Sequence, residues 1–135
     1  MIVADASLIG YFAVRGEHSE RADDVCEADA VWVAPLLWRS EFRNALAQYA
    51  RHAGMTMEAA LLAWRTAEEV VHGREYQVAT EKVLELAARS KCTAYDCEYV
   101  ALAQDLDVPL VTPDRQILRA FPGTAVSLEE FAKKK

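Results

Sequence analysis

Short apolar segments alternate along this chain with longer amphipathic stretches, and that alternation restricts the folds the chain can adopt. Short buried strands are expected at residues 2–4, 31–33, 75–78, 109–112 and 124–126. Strands that alternate with helices typically form a parallel sheet with helices on both faces. We therefore predict an α/β protein, a three-layer α/β/α sandwich around a central parallel sheet. In such sheets ligands gather at the carboxyl ends of the strands.

Helices are expected where apolar residues recur at helical spacing. The predicted helices cover residues 7–14, 18–28, 36–52, 56–71, 93–106 and 114–120; one more begins at Thr80 and a last one at the Ser127 capping box. Gly54 ends one of these helices and Thr56 caps the next. We expect Trp38, Trp64 and Met57 to lie in the core; the alternative is an apolar groove that accepts a partner's amphipathic helix.

Composition narrows the class of protein. The length of 135 residues fits one domain, and 53% hydrophobic residues support a folded core. A formal net charge of −6 argues against nucleic-acid binding by bulk positive charge, although a local basic strip remains possible. The opening MIVADAS has no basic residue, so no signal peptide is expected. Three cysteines without a paired spacing favour a reduced, cytoplasmic compartment over a disulfide framework or a zinc site.

Four acidic residues lie at positions where a functional site is expected: after a strand, beside an apolar helix face or at the start of a helix. Asp5 follows the first strand and Asp114 follows the strand at 109–112, so both belong to the carboxyl edge of the sheet. Glu41 lies beside the apolar stripe of its helix, and Asp96 opens another helix. Each has a structural alternative as a helix cap or an ion-pair partner; Asp96 forms a capping box with Thr93. Only their combination favours a functional site.

Several stretches resemble a known family. Residues 93–103 and 108–114 are similar to the C-terminal half of a PIN domain, and 3–7 and 41–46 are similar to its other two motifs. They follow the family order, and at this size the chain most resembles VapC-type toxin ribonucleases of type II toxin–antitoxin systems. The resemblance implies a PIN-like domain over 1–132 and a basic tail at 133–135. Residues 54–92 carry no diagnostic motif.

The resemblance also implies that Asp5, Glu41, Asp96 and Asp114 converge. Two carboxylates about 4 Å apart repel by roughly 4 kcal/mol at an effective dielectric of about 20, so such a cluster needs protons or a cation. All-oxygen ligands suit Mg²⁺ or Mn²⁺ rather than zinc. Asp5 and Asp96 are expected as direct ligands and Asp114 as a direct or water-mediated one. Glu41 is a further ligand or orients the attacking water. Side chains expected to orient these carboxylates, or else to serve only in caps and turns, are Ser7, Asn44 and Thr112.

The implied substrate is RNA, cleaved by a metal-activated water, and the implied partners are a cognate antitoxin and a second copy of the chain. Arginines near the acids are candidates for phosphate contacts or belong to a solvated, ion-paired face: Arg39, Arg43, Arg115 and Arg119. Alternatives are a non-catalytic PIN-fold module that binds a partner and a PIN-type nuclease for housekeeping RNA processing. A receiver domain is disfavoured because no lysine follows a late strand. A DxD phosphatase is disfavoured because Ala6 and Ser7 follow Asp5.

Overall fold

Five short parallel strands form one sheet in the computed structural model, which describes residues 1–133. The strands are β1 (Ile2–Ala4), β2 (Trp32–Pro35), β3 (Glu75–Tyr76), β4 (Leu110–Val111) and β5 (Ala125–Val126). Their spatial order is β3-β2-β1-β4-β5, and every neighbouring pair is parallel. The predicted α/β class with a central parallel sheet is confirmed. Because β1 is central, residues that follow it lie beside those that follow β2 and β4.

Eight helices surround this sheet within the described residues. They are α1 (Ala6–Ala13), α2 (Ser19–Ala28), α3 (Leu37–His52), α4 (Met57–Val70), α5 (Thr80–Ala88), α6 (Ala94–Leu106), α7 (Arg115–Ala120) and α8 (Leu128–Lys133). None of the helices within residues 1–133 is both long and apolar enough to cross a membrane. Lys133 is the last residue of α8, and the rest of the predicted basic tail lies outside the described residues.

The sheet is buried because its strands are almost entirely apolar and helices cover them. Residues of β1, β2 and β4 are fully buried. Helix α6 packs on β1, β2 and β4, and α1 packs on β1 and against α2, α3 and α4. The N-terminal end of α6 therefore reaches the same sheet edge as the start of α1, which places their first residues side by side.

Helix α4 corrects one expectation about the core. Trp38 is fully buried as predicted and stacks on the partly buried Trp64 at 5.1 Å between ring centroids. Met57, however, is 73% exposed, and Leu61 is 47% exposed. The inward face of α4 consists mainly of small residues, with Ala63 and Ala67 buried, so the longer side chains at its N-terminal end project outward. The N-terminal end of α4 therefore fits the alternative of an exposed apolar groove better than a position in the core.

Candidate active site

An acidic cavity of about 340 Å³ opens at the carboxyl edge of the sheet. Its wall contains all four predicted acids, Asp5, Glu41, Asp96 and Asp114. They come from the end of β1, the middle of α3, the first turn of α6 and the residue before α7. A larger groove of about 700 Å³ lies between α2 and α8, but its charged residues include the Arg21–Glu129 ion pair and none of the four predicted acids lines it. The acidic cavity is therefore the site that lies at the carboxyl edge of the parallel sheet.

Asp5 is the most deeply buried of the four acids. Its Oδ1 accepts the Leu8 N–H at 2.9 Å, which caps α1, and its Oδ2 accepts the hydroxyl of Thr112. The buried Thr112 also accepts the Asp114 N–H at 3.0 Å. Burial raises the pKa of Asp5 to about 6; the Thr112 and Leu8 hydrogen bonds oppose this rise, and the charges of Asp114 and Glu41 add to it. Thr112 thus holds Asp5 Oδ2 by a hydrogen bond.

Glu41 is held by a residue that the sequence analysis did not select. The Tyr99 hydroxyl donates to Glu41 Oε1 at 2.6 Å. Burial raises the pKa of Glu41 and the nearby Asp96 charge raises it further, whereas the Tyr99 hydrogen bond lowers it. Burial and the Glu41 charge also raise the pKa of Tyr99. The available signal was spacing, since Tyr99 follows Asp96 by three residues and shares its side of α6.

Asp96 and Asp114 serve as helix caps and also line the cavity. Asp96 Oδ2 accepts the Thr93 N–H at 3.2 Å while Thr93 Oγ1 accepts the Asp96 N–H at 3.0 Å, which is the predicted capping box. Asp114 Oδ1 accepts the N–H groups of Gln116 and Ile117 at 2.9 and 3.0 Å. Within residues 1–133, no hydrogen bond uses Asp96 Oδ1 or Asp114 Oδ2. The capping and functional interpretations are therefore compatible.

The fit of these acids to a cation rests on their donor chemistry. Within residues 1–133, no three His, Cys, Asp or Glu side chains are arranged so that they could hold a metal ion as they stand. The acids surround a shared cavity instead of meeting at a point, yet the charge of Asp5 couples to Asp114 and Glu41, and that of Glu41 to Asp96. Carboxylate oxygens are the ligands preferred by Mg²⁺ and Mn²⁺. The donor set fits such a cation.

The other two predicted orienting residues differ from Thr112. Ser7 lines the cavity but is exposed, and Asn44 lies on the exposed face of α3 outside the cavity wall. Within the described chain neither side chain hydrogen bonds to one of the acids. Its position in α3 exposes Asn44 to solvent, so the structure places it apart from the acids. Ser7 remains a cavity-wall residue without a partner acid.

Two of the four arginines are engaged elsewhere. Arg39 donates to both carboxylate oxygens of Glu75, at 2.6 and 3.0 Å, and to Glu68 at 3.0 Å. The Arg43 guanidinium lies 4.9 Å from the centroid of the Trp64 ring. Neither lines the acidic cavity, and the ion pairs of Arg39 match the alternative of an ion-paired face; phosphate contacts of Arg39 and Arg43 stay predictions.

Arg115 and Arg119 are placed differently. Neither lines the cavity, but both are exposed on α7, the helix that the cavity residue Asp114 caps. Neither takes part in a hydrogen bond or ion pair with any other residue in the described range 1–133. Unlike Arg39, these two guanidinium groups are therefore not engaged by an acid of the described chain.

Comparison with known proteins supports the fold. No protein-family model matches the chain, and no curated protein is similar enough to serve as a relative. The crystal structure of PAE2754 from Pyrobaculum aerophilum is similar with a TM-score of 0.75 and 25% identity, over 98% of this chain and 94% of that one. That of FitAcB from Neisseria gonorrhoeae gives a TM-score of 0.74 and 14% identity, over 96% and 99%. The chain has a PIN-like α/β fold.

Proposed function

We propose that this protein is a Mg²⁺- or Mn²⁺-dependent endoribonuclease that acts as the toxin of a toxin–antitoxin pair in the cytoplasm. One observation carries the proposal: four carboxylates from four separate elements surround one cavity at the carboxyl edge of the sheet. Burial, and to a lesser extent the charges of neighbouring acids, raise the pKa values of Asp5 and Glu41 there. A PIN-like fold and the family motifs support the same conclusion.

The residues in and around the cavity would have different roles in such a reaction. Asp5, Asp96 and Asp114 would hold the cation, and Glu41 would be a further ligand or would orient the attacking water. When bound, a divalent cation supplies Lewis acidity that activates water and offsets charge on the phosphodiester. Thr112 and the backbone of α1 fix both oxygens of Asp5, which keeps that carboxylate in the wall. Exposed arginines of α7 would attract the phosphates.

Cleavage of a single-stranded RNA with Mg²⁺ or Mn²⁺ tests the proposal. The wild type should cut the RNA, a chelator should stop it, and Asp5→Asn and Asp96→Asn should each reduce the rate by at least about 100-fold. Asp105→Asn is the matched control, because Asp105 is an exposed acid of the same helix as Asp96 outside the cavity. Equal cleavage by the wild type and the cavity variants would refute the assignment. No cleavage by any protein would favour the non-catalytic module.

The toxin role and the partners are proposed from the family resemblance. A small upstream reading frame for a DNA-binding antitoxin would distinguish a toxin from a housekeeping nuclease. Co-expression with that antitoxin should abolish RNA cleavage and give a stable complex on size-exclusion chromatography. The chain alone should elute as a homodimer. Failure of the neighbouring protein to inhibit an active nuclease would favour the housekeeping role.

A further inference from the structure

A buried hydrogen bond joins α6 to α3 at the wall of the acidic cavity. Tyr99 is 3% exposed and donates its hydroxyl to Glu41 Oε1 at 2.6 Å. Tyr11 and Tyr49 also line the cavity, but in residues 1–133 neither hydroxyl hydrogen bonds to an acid. The contact is therefore particular to Tyr99 and Glu41 and is not a general property of the tyrosines around the cavity.

Glu41 differs from the other three acids in how it is held. Asp5, Asp96 and Asp114 each accept an N–H from backbone within three residues, which fixes their side chains locally. Glu41 lies inside α3, where backbone N–H groups already donate within the helix. Its side chain also has one more rotatable bond than an aspartate. Among the described residues, the Tyr99 hydroxyl is its single hydrogen-bond donor.

We propose that Tyr99 is a positioning residue that holds Glu41 so that Oε2 is presented to the cation of the proposed site. The hydroxyl occupies Oε1, and no hydrogen bond within residues 1–133 uses Oε2. Three acids of the cavity are thus oriented by helix-capping backbone and the fourth by a tyrosine from a different element. This inference rests on the proposed function, because it concerns the same cation.

Binding of Mn²⁺, measured by isothermal titration calorimetry, tests the inference without RNA cleavage. Tyr99→Phe keeps the buried ring and removes only the donor. It should weaken Mn²⁺ binding by about tenfold, as expected for loss of a group that orients a metal ligand. Tyr49→Phe is the matched control, since it removes a cavity hydroxyl that holds no acid, and it should bind within about twofold of the wild type. Circular dichroism checks that each variant is folded.

A double-variant cycle separates positioning from a general effect on packing. If Tyr99 acts through Glu41, Tyr99→Phe should cause no further loss of Mn²⁺ affinity in a Glu41→Ala background. In RNA cleavage, Tyr99→Phe should lower kcat and leave KM for RNA unchanged. Unchanged Mn²⁺ affinity of Tyr99→Phe, or equal losses in both backgrounds, would overturn the inference. A wild type that binds no Mn²⁺ would instead overturn the proposed function, so the two failures are distinguishable.

Discussion

Thr112 donates its hydroxyl to Asp5, which precedes it by 107 residues in the chain. The same hydroxyl oxygen accepts the backbone N–H of Asp114, so one buried side chain links two of the cavity acids. The link follows from the sheet, because β1 and β4 are parallel neighbours with Ala4 paired to Val111. The residue after each of these paired positions must then lie at the same edge. Parallel pairing alone therefore brings Asp5 and Thr112 together.

Replacing Thr112 tests what this hydrogen bond contributes. Thr112→Val keeps the shape but leaves a buried Asp5 oxygen without its donor and the Asp114 N–H without its acceptor, so the free energy of unfolding should fall by about 1–3 kcal/mol at pH 7. Thr112→Ser retains the hydroxyl and should stay close to the wild type. Urea denaturation measures both. The loss should shrink towards pH 4, where Asp5 is protonated. Equal stability of the Val and Ser variants would show that the bond contributes nothing.

Asp5 itself should destabilise the folded protein when no divalent cation is present. Its pKa rises from 3.8 to about 6 on folding, so the folded state binds a proton more readily and stability falls as the pH rises through this range. Asp5→Asn should therefore raise the free energy of unfolding at pH 8, by about 3 kcal/mol at most. The gain should disappear near pH 4. Thermal unfolding in chelator, with Asp105→Asn as the control, measures it; an equal gain at both pH values would contradict the explanation.

The positions of Asp5 and Asp96 within their elements were predictable from the sequence, because each is determined by residues close to it in the chain. Asp5 follows a short apolar strand, and Asp96 forms a capping box with the residue three positions before it. Tyr99 and Arg39 were not predictable in the same way. Their partners, Glu41 and Glu75, lie 58 and 36 residues away, and only the packed helices and sheet bring them into contact. Charge and spacing along one helix do not reveal such partners.

Arg39 should stabilise the fold and not bind RNA. It joins α3 to Glu75 of β3, whose pKa is lowered chiefly by the Arg39 hydrogen bond. A depressed pKa stabilises the fold above the unfolded value of 4.5, and this stability is lost as the pH falls below it. Arg39→Met should lower the free energy of unfolding by about 1–3 kcal/mol at pH 7. Denaturation at pH 7 and pH 3.5 should show a smaller difference at the lower pH.

The same variant distinguishes a structural arginine from one that contacts RNA. Below the melting transition, Arg39→Met should cleave RNA with the KM of the wild type, because the Arg39 guanidinium is already engaged by Glu75 and Glu68. A raised KM in fully folded Arg39→Met would restore the phosphate contact that the ion pair with Glu75 argues against. Glu75→Gln provides the reciprocal control, since it weakens the same contact without removing a positive charge from the protein.

Arg115 and Arg119 should determine how RNA affinity depends on salt. Both are exposed, unpaired within residues 1–133 and on α7, the helix that Asp114 caps. Each phosphate contact removed should lower the slope of log affinity against log salt concentration by about 0.7 for a single strand. Arg115→Gln and Arg119→Gln should therefore raise KM for RNA at low salt with little change in kcat. Arg43→Gln, which removes a guanidinium stacked on Trp64, is the control, and an equal effect in all three variants would indicate bulk charge only.

A divalent cation should protect the wild type against thermal unfolding. Four acids share one cavity in the folded state, where burial chiefly and neighbouring carboxylates secondarily raise the pKa values of Asp5 and Glu41. A cation bound there offsets both effects. At a free cation concentration of 100 times Kd, this linkage is worth about 2.7 kcal/mol. Mn²⁺ should raise Tm, a chelator should reverse the rise, and Asp96→Asn should reduce it while Asp105→Asn should not. An equal rise in Tm for both variants would place the cation elsewhere on this acidic protein, and no rise in any would contradict a metal site in the cavity.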